Sequence, residues 1–152
     1  MRRKDGERDN VKDIEEIMQM ANVCRLAMCE GDRPYIVPLC FGYESGNLYF
    51  HSASQGRKLE IFRNNRNVSF EMDVDQELVS GEIPCKWSFR YRSVVGFGKV
   101  SFIKDSESKR EALRIIMGNY SKGVFDFIED DISKVTMIRV DIEDMKGKVS
   151  GY

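Results

Sequence analysis

The sequence predicts a mainly β protein, a small antiparallel barrel of about six strands with α-helices inserted at its edges. Between residues 23 and 145, most stretches alternate apolar and polar residues at the period of a β-strand, and turn sequences join the first strands. Three shorter stretches instead repeat their apolar residues at helical spacing. No internal repeat or linker divides the 152 residues, so we expect one domain over residues 1–152.

The first half of the chain is predicted to hold one capped helix and a meander of three strands. Asp9 or Asn10 can cap the helix. Its apolar residues recur at helical spacing: Val11, Ile14, Ile17, Met18 and Ala21. Turns at residues 30–32 and 44–47 separate the three predicted strands: residues 23–28, 34–44 and 48–52. Because proline cannot donate to a ladder, Pro38 indicates an edge strand, a bulge or a ligand-facing stretch.

The second half alternates again between helical and strand patterns. Residues 57–64 predict a short helix with Leu59 and Phe62 facing inward, and Asp105 opens a longer helix. The longer helix has one apolar face: Ala112, Leu113, Ile116, Met117 and Tyr120. Three further strands are predicted: residues 67–75, 90–103 and 136–145. Residues 125–133 show no regular pattern.

The composition argues against several classes of protein. Lysine and arginine total 24 against 25 acidic residues, so the net charge of -1 offers no basic surplus for nucleic acid or an acidic membrane. No apolar run near the N-terminus is long enough for a signal peptide or a membrane span, and we expect a cytoplasmic protein. Four cysteines without paired spacing are interpreted as reduced, mostly buried thiols: Cys24, Cys29, Cys40 and Cys85. A single histidine, His51, argues against a metal site.

The stretch LYFHSASQGRK, residues 48–58, joins a strand end to the start of the short helix. Arg57 and Lys58 fall in the first helical turn, where the positive end of the helix dipole disfavours cations. Free N–H groups, these two cations and the hydroxyls of Ser52 and Ser54 would together suit a phosphate. The alternative is that both cations extend into solvent.

A second polar segment covers residues 84–98 and places Arg90 and Arg92 on one face of a strand. That face can serve an anionic ligand. More simply, it can pair with the acidic residues between positions 71 and 77, with Trp87 as a core anchor.

Two stretches carry a resemblance to a known family: CRLAMCEGDRPYIVPLCFGYESGNLYFHSASQGRK and CKWSFRYRSVVGFGKV. They resemble the 5-nitroimidazole-resistance proteins within the flavin-binding split barrels that are similar to pyridoxamine 5'-phosphate oxidase, and the similarity runs from about residue 1 to about residue 147. The resemblance implies a six-stranded split barrel that forms a homodimer, with a flavin in each of two clefts at the subunit interface. FMN is the usual cofactor, and FAD is left open.

The resemblance also implies the site residues. Ser52, Arg57 and Lys58 would contact the flavin phosphate, and His51 would lie near the flavin and the substrate pocket. The strand beside the isoalloxazine ring would be Val37, Pro38, Leu39 and Cys40. The segment that completes the cleft, assigned to the other subunit, would be Tyr91, Arg92, Ser93 and Val94. The chain departs from the usual pattern at Arg66, where relatives have proline, and at Cys40, where they often have asparagine.

The implied function is flavin redox chemistry, in which a nicotinamide nucleotide or another donor reduces the flavin and a small acceptor, such as a nitro-aromatic compound, takes the electrons. His51 is the predicted catalytic residue, because an imidazole can hydrogen-bond the acceptor or deliver a proton. The alternative is that this histidine only packs against or caps the strand end. Two other functions stay open: a flavin- or haem-binding carrier or sensor without turnover, and a structural dimer that has lost its cofactor. The retention of the three phosphate-contacting residues argues against the last.

Overall fold

The computed structural model describes residues 6–152, so residues 1–5 of the predicted domain lie outside the described part. Eight strands form one antiparallel sheet: β1 Glu7–Arg8, β2 Cys24–Glu30, β3 Arg33–Leu39, β4 Gly42–Glu44, β5 Asn47–Ala53, β6 Asn67–Val79, β7 Ser88–Ile103 and β8 Val135–Ser150. Four α-helices accompany them: α1 Val11–Met20, α2 Arg57–Asn64, α3 Ser106–Gly118 and α4 Glu129–Lys134. A short 3-10 helix covers Pro84–Lys86. The predicted mainly β fold is therefore confirmed.

The predicted number of six strands is wrong, and the two extra strands are short. The predicted strand over residues 34–44 divides near Cys40 into β3 and β4, which pair with different neighbours. The two-residue β1 pairs with β8 close to the start of the described chain. Strands this short carry too few residues to show alternation in the sequence.

The sheet curls into a barrel around the main hydrophobic core, and its two end strands, β3 and β4, do not pair with each other. Its strands follow the order β3-β2-β6-β7-β8-β5-β4, with β1 also paired to β8. Completely buried aromatic side chains fill the interior: Phe41, Phe50 and Phe62, with Phe70 almost fully enclosed. The inward residues of α1 and α2 join the same core, whereas α3 packs outside the barrel, where Ala112 and Ile116 cover Met137. Within residues 6–152, no helix has both the length and the apolar character needed to cross a membrane.

Local signals in the sequence locate the helices well. The Asn10 side chain accepts a hydrogen bond from the backbone N–H of Lys12, and Asp105 caps α3 in the same way through Ser108. Residues 57–64 form α2 as predicted, with its apolar face inward. The short helix α4 lies in the stretch that showed no pattern, where burial of Ile132 against the fold stabilises it.

The barrel is open between β3 and the end of β5. β3 pairs with β2 alone, and residues 51–53 of β5 pair with β8 alone. We call the end of the gap where β4 pairs with β5 its narrow end, and the end where α2 follows β5 its wide end. We call this gap the split. Pro38 lies on the edge strand that borders it, in agreement with the prediction.

Two expectations about individual residues are wrong. Cys24 is buried, but the other three cysteines are exposed, so the thiols are not mostly buried, although all four are free. Trp87 is 51% exposed and is no core anchor, because it lies where the β6–β7 hairpin extends past its neighbouring strands.

Candidate functional site

The first turn of α2 offers free backbone donors at the wide end of the split. Its N-cap is Gly56, whose φ of 139° is a conformation that other residues rarely adopt and that brings no side chain to cap the helix. The N–H groups of Leu59 and Glu60 both donate to the Gly56 carbonyl. The preceding N–H groups, of Arg57 and Lys58, have no acceptor in the helix. This helix start can therefore bind an anion.

Ser52 places a hydroxyl in the same region. Its side chain turns inward with those of Leu48 and Phe50, because alternate residues of β5 share a face. Among residues 6–152 it is the one polar residue classed as buried, at 6% exposed, and its hydroxyl makes no hydrogen bond there. The hydroxyl oxygen itself is not fully enclosed, so it is free to donate a hydrogen bond to a ligand oxygen.

The two cations of α2 are in different situations. The Arg57 guanidinium lies 2.7 Å from the Glu30 carboxylate and 5.1 Å from the centre of the Tyr35 ring. The sequence predicted an anion beside this turn, and for Arg57 that anion is Glu30. Lys58 is half-buried and makes no ion pair within the described residues, and burial lowers its pKa below the ordinary value. Lys58 is therefore the cation that a bound anion would stabilise most.

The open edge of β3 presents mainly hydrogen-bond acceptors to the split. Pro34 and Pro38 stand opposite Cys29 and Arg25 on β2. Since proline has no N–H, these are the non-hydrogen-bonded positions of the ladder, and the backbone of residues 34, 36 and 38 points toward the open edge. That edge carries three carbonyl oxygens but only one N–H, that of Ile36. It resists pairing with another strand and can accept hydrogen bonds from a ligand.

The residues predicted to lie beside a flavin ring border this edge. Val37 and Leu39 face inward and are half-buried, whereas Pro38 and Cys40 are exposed. Cys40 stands at the narrow end of the split, next to Phe41. The structure brings these four residues to one side of the split, and contact with a flavin stays a prediction.

His51 and Ser52 line the other side of the split from opposite faces of β5. His51 is exposed and lies opposite Met137, on the face that α3 partly covers, while Ser52 faces the barrel interior. A single ligand can meet both side chains only around the open edge of the strand.

Residues Tyr91 to Val94 lie away from the start of α2 within one chain. Asn67, just after α2, stands opposite Lys99 on β7, so Lys99 marks the level of the α2 end of the split. Val94 lies five residues from Lys99 along the strand and Tyr91 lies eight, which corresponds to about 17–26 Å. Pro38, further along the edge of the split, is level with Val95 through Arg25 and Glu71.

Their side chains have other contacts in the monomer. Arg90 pairs with Glu77 at 3.5 Å, and the Arg92 Nε lies 2.9 Å from the Asp75 carboxylate. The simpler interpretation of this cationic face, ion pairing with the acidic stretch, is therefore what the structure shows. Val94 is completely buried in the core, so its side chain is not exposed to a ligand.

Sequence reasoning missed Glu30 and Tyr35, which hold Arg57, and Tyr120, which supports the narrow end of the split. The Tyr120 hydroxyl donates to the Asn22 carbonyl at 2.9 Å and accepts from the Phe41 N–H at 2.8 Å. Tyr120 and Phe41 are 79 residues apart. No local pattern signals a contact over that distance.

This fold and this split define a split barrel, and comparison with known proteins identifies its family. The chain belongs to the pyridoxamine 5'-phosphate oxidase family, whose model matches residues 10–149. It is also similar to the crystal structure of a candidate 5-nitroimidazole antibiotic resistance protein from Bacteroides thetaiotaomicron VPI-5482. The two share 36% identity over 94% of this chain and 86% of that one, with a TM-score of 0.85. The predicted family is confirmed.

More distant structures share the fold. The flavocytochrome Anf3 from Azotobacter vinelandii is 18% identical with a TM-score of 0.87, over 100% of this chain and 72% of its own. The FAD and haem binding protein from Mycobacterium smegmatis is 16% identical with a TM-score of 0.87, over 97% of this chain and 74% of its own. An uncharacterized protein of Rhizobium meliloti strain 1021 is 31% identical over 61 residues, and the match spans only 40% of that relative's length.

Proposed function

We propose that this protein is an FMN-dependent reductase that passes electrons to a small acceptor, with nitro-aromatic compounds as the first class to test. The observation that carries the proposal is the start of α2, where two N–H groups without an acceptor and the half-buried Lys58 follow Ser52, whose hydroxyl makes no hydrogen bond within the described residues. The family and the name of the Bacteroides relative support the acceptor class.

The residues of the pocket fit the phosphate of a flavin mononucleotide. A phosphate has several strong acceptor oxygens, and Ser52, Lys58 and the first N–H groups of α2 are donors with no competing acceptor in the described chain. The carbonyl-rich edge of β3 would accept a hydrogen bond from an N–H of the flavin ring. The bound flavin would supply the electron transfer. The mass of the bound cofactor distinguishes FMN from FAD.

His51 is our choice for the residue beside the acceptor. It stands next to Ser52 in the chain and is exposed at the open edge of β5. From there its imidazole can hydrogen-bond the acceptor or transfer a proton to it, while Ser52 holds the cofactor from the other face.

We further propose that the active form is a homodimer, for which one surface of the sheet offers support. Five large apolar side chains there are 41–59% exposed: Ile36, Leu78, Phe89, Val95 and Phe97. We call this set the apolar face. Ile36, Ala27, Ser69 and Phe97 form one row across four adjacent strands. The exposed apolar area of this face is roughly 400 Å². A patch of this size is at the upper range of the largest apolar patches found on monomers. It is about half of the area that each partner buries in a standard protein–protein interface.

The cofactor is tested first by the visible spectrum of the purified protein and the mass of any compound that heat releases. Flavin bands with the mass of FMN are expected, whereas a Soret band would point to haem. A colourless protein that takes up no added FMN would refute the proposal. In an anaerobic stopped-flow experiment, a 5-nitroimidazole should reoxidise the reduced protein faster than buffer does. A carrier or sensor would show no such acceleration.

The dimer is tested by analytical ultracentrifugation. Phe97→Glu should yield monomers, because it places a charge in the middle of the apolar face. Val124→Glu is the matched control, since Val124 is an exposed apolar residue away from that face. A wild-type monomer, or equal association of both variants, would count against the proposed dimer.

A further inference from the structure

The chain between α3 and β8 connects the two ends of the open edge of β5. At the narrow end of the split, the Tyr120 hydroxyl accepts a hydrogen bond from the Phe41 N–H at 2.8 Å. At the wide end, Val135 begins β8 directly opposite the last residue of β5. Residues 121–134 join these two points, and His51 lies between them on β5. This connection therefore starts and finishes beside the edge where His51 lies.

α3 crosses the outer face of the sheet next to His51. Its buried residues Ala112 and Ile116 cover Met137, which stands directly opposite His51 on β8. One flank of the helix faces the hairpin between β4 and β5, where a hollow is lined by side chains from both: Glu44, Tyr49, Ser108, Glu111 and Ile115. The other flank therefore faces the opposite direction along β5, toward His51 and the end of the strand.

The segment that follows α3, residues 121–128, runs back along this second flank, and we call it the edge loop. Arg110 and Met117 lie on the flank, because each follows a residue of the first flank by two positions, about 200° around the helix. The Arg110 Nε donates to the Phe127 carbonyl at 3.4 Å, and a hollow of about 250 Å³ lies between Met117 and the loop. Five loop residues line it: Ser121, Gly123, Val124, Phe125 and Phe127. The edge loop is thus held against the flank that faces His51.

The edge loop exposes apolar side chains and makes few hydrogen bonds. Val124 is 98% exposed, Ile128 60% and Phe125 39%. Within the described chain, residues 122–127 make no hydrogen bond from backbone to backbone. Segments with so few bonds move at a low cost in free energy, and exposed apolar groups gain from contact with another apolar surface. The loop is therefore suited to close over an apolar ligand beside it.

We infer that the edge loop closes over an acceptor held beside His51, with Phe125 and Val124 packed against its ring, and that the loop favours flat aromatic acceptors. The inference rests on the proposed function, because that proposal puts the acceptor beside His51. A flat ring can stack against Phe125 and bury apolar surface against the loop, which stabilises its complex. A small inorganic acceptor such as ferricyanide has no apolar surface to bury. The loop would therefore determine which acceptors bind well, while other residues hold the flavin.

Acceptor selectivity tests the inference in the FMN-loaded protein. Val124→Ala with Phe125→Ala should raise the 5-nitroimidazole concentration that half-saturates reoxidation by about tenfold, because the ring loses its apolar contacts. The rate with ferricyanide and the affinity for FMN should match those of wild type, since neither needs the loop. Lys122→Ala, an exposed polar position on the same loop, is the control and should behave as wild type. An equal loss with both acceptors, or no loss with either, would overturn the inference.

A second measurement reads acceptor binding without turnover. Trp87 is the only tryptophan of the chain, so Phe125→Trp together with Trp87→Phe moves the tryptophan emission to the edge loop. In the oxidised, FMN-loaded variant, a 5-nitroimidazole should quench this emission to a plateau, because nitro-aromatic rings quench indole fluorescence on contact. Wild type, whose tryptophan lies on the β6–β7 hairpin, should show only weak quenching without a plateau. The same weak quenching in both proteins would refute the role of the loop alone, whereas a wild-type protein that binds no FMN, or that no acceptor reoxidises, would refute the proposed function itself.

Discussion

The Arg57 guanidinium and the Glu30 carboxylate lie 2.7 Å apart, although 27 residues separate them in the chain. The pair ties the first turn of α2 to the end of β2 and neutralises one of the two cations there. Both side chains are substantially exposed, so the pair contributes at most about 1 kcal/mol to stability. Its main consequence is that Lys58 carries the positive charge available to an anion.

Lys58→Ala is expected to weaken FMN binding by about 10- to 100-fold, the effect of losing one charge-assisted hydrogen bond. Arg57→Ala should cost less, because Glu30 already neutralises the guanidinium, and the double variant should lose the most. Titration of the apoprotein with FMN measures all three affinities. Arg63→Ala, in the last turn of the same helix, is the control and should bind as wild type does. Equal affinity of Lys58→Ala and wild type would remove the phosphate assignment.

Glu30→Gln should strengthen FMN binding a few-fold. The substitution keeps the size of the side chain but removes the charge that competes with a phosphate for Arg57. Isothermal titration at low and high salt measures the gain, which should shrink as salt screens the charge. Asp32→Asn, in the adjoining β2–β3 turn, serves as a charge-matched control. A weaker affinity in Glu30→Gln would mean that the ion pair holds the site in shape.

The lowered pKa of Lys58 predicts opposite pH effects on stability and on binding. The unfolded chain holds this proton more tightly than the folded one, so the free energy of unfolding should rise as pH increases from the folded pKa of Lys58 toward its ordinary value. FMN binding needs the charged amine and should fall over the same window. Chemical denaturation and FMN titration across this alkaline range measure both, and the difference between wild type and Lys58→Met isolates the part due to Lys58. The comparison is needed because burial raises the pKa of Cys24, Tyr43, Tyr49 and Tyr120, which lowers stability as pH rises. If wild type and Lys58→Met show the same pH dependence of stability and of FMN affinity, Lys58 is not the cation that binds the phosphate.

Ser52→Ala should separate stability from binding. The variant removes a hydroxyl that makes no hydrogen bond within the described residues, so the cofactor-free protein should keep its stability to within about 1 kcal/mol. FMN affinity should nevertheless fall about tenfold, since a hydrogen bond to the phosphate is lost. Urea unfolding and FMN titration provide the two readouts. Ser54→Ala, on the exposed turn, is the control. A destabilised apoprotein with normal FMN affinity would argue for a purely structural serine.

His51→Ala should keep its flavin but reoxidise more slowly with the acceptor, by about 10²-fold if the imidazole donates a proton. His51→Gln tests hydrogen bonding without proton transfer and should recover part of the rate if bonding suffices. Stopped-flow reoxidation at several pH values measures these rates. Loss of the flavin in both variants would instead make His51 a binding residue.

The sequence by itself determined the elements whose signals are local. Asn10 and Asp105 cap helices through bonds that span two or three residues, and α2 begins and ends where its apolar spacing predicts. The alternation along β5 already implied that His51 and Ser52 face opposite ways. The motif around residues 48–58 was also sufficient to indicate an anion pocket.

Only the tertiary structure decided which of these groups are available to a ligand. Arg57 and Lys58 are neighbours of the same charge, yet one is paired with Glu30 and the other is not. Likewise, Arg92 is held by Asp75, which lies in the bulge that follows Val74 on the neighbouring strand. Such contacts depend on how segments that are far apart in the chain align across the sheet. The spacing of residues within one segment does not indicate which distant segment it will meet. The split itself exists because one strand pairs with different neighbours on either side of Cys40.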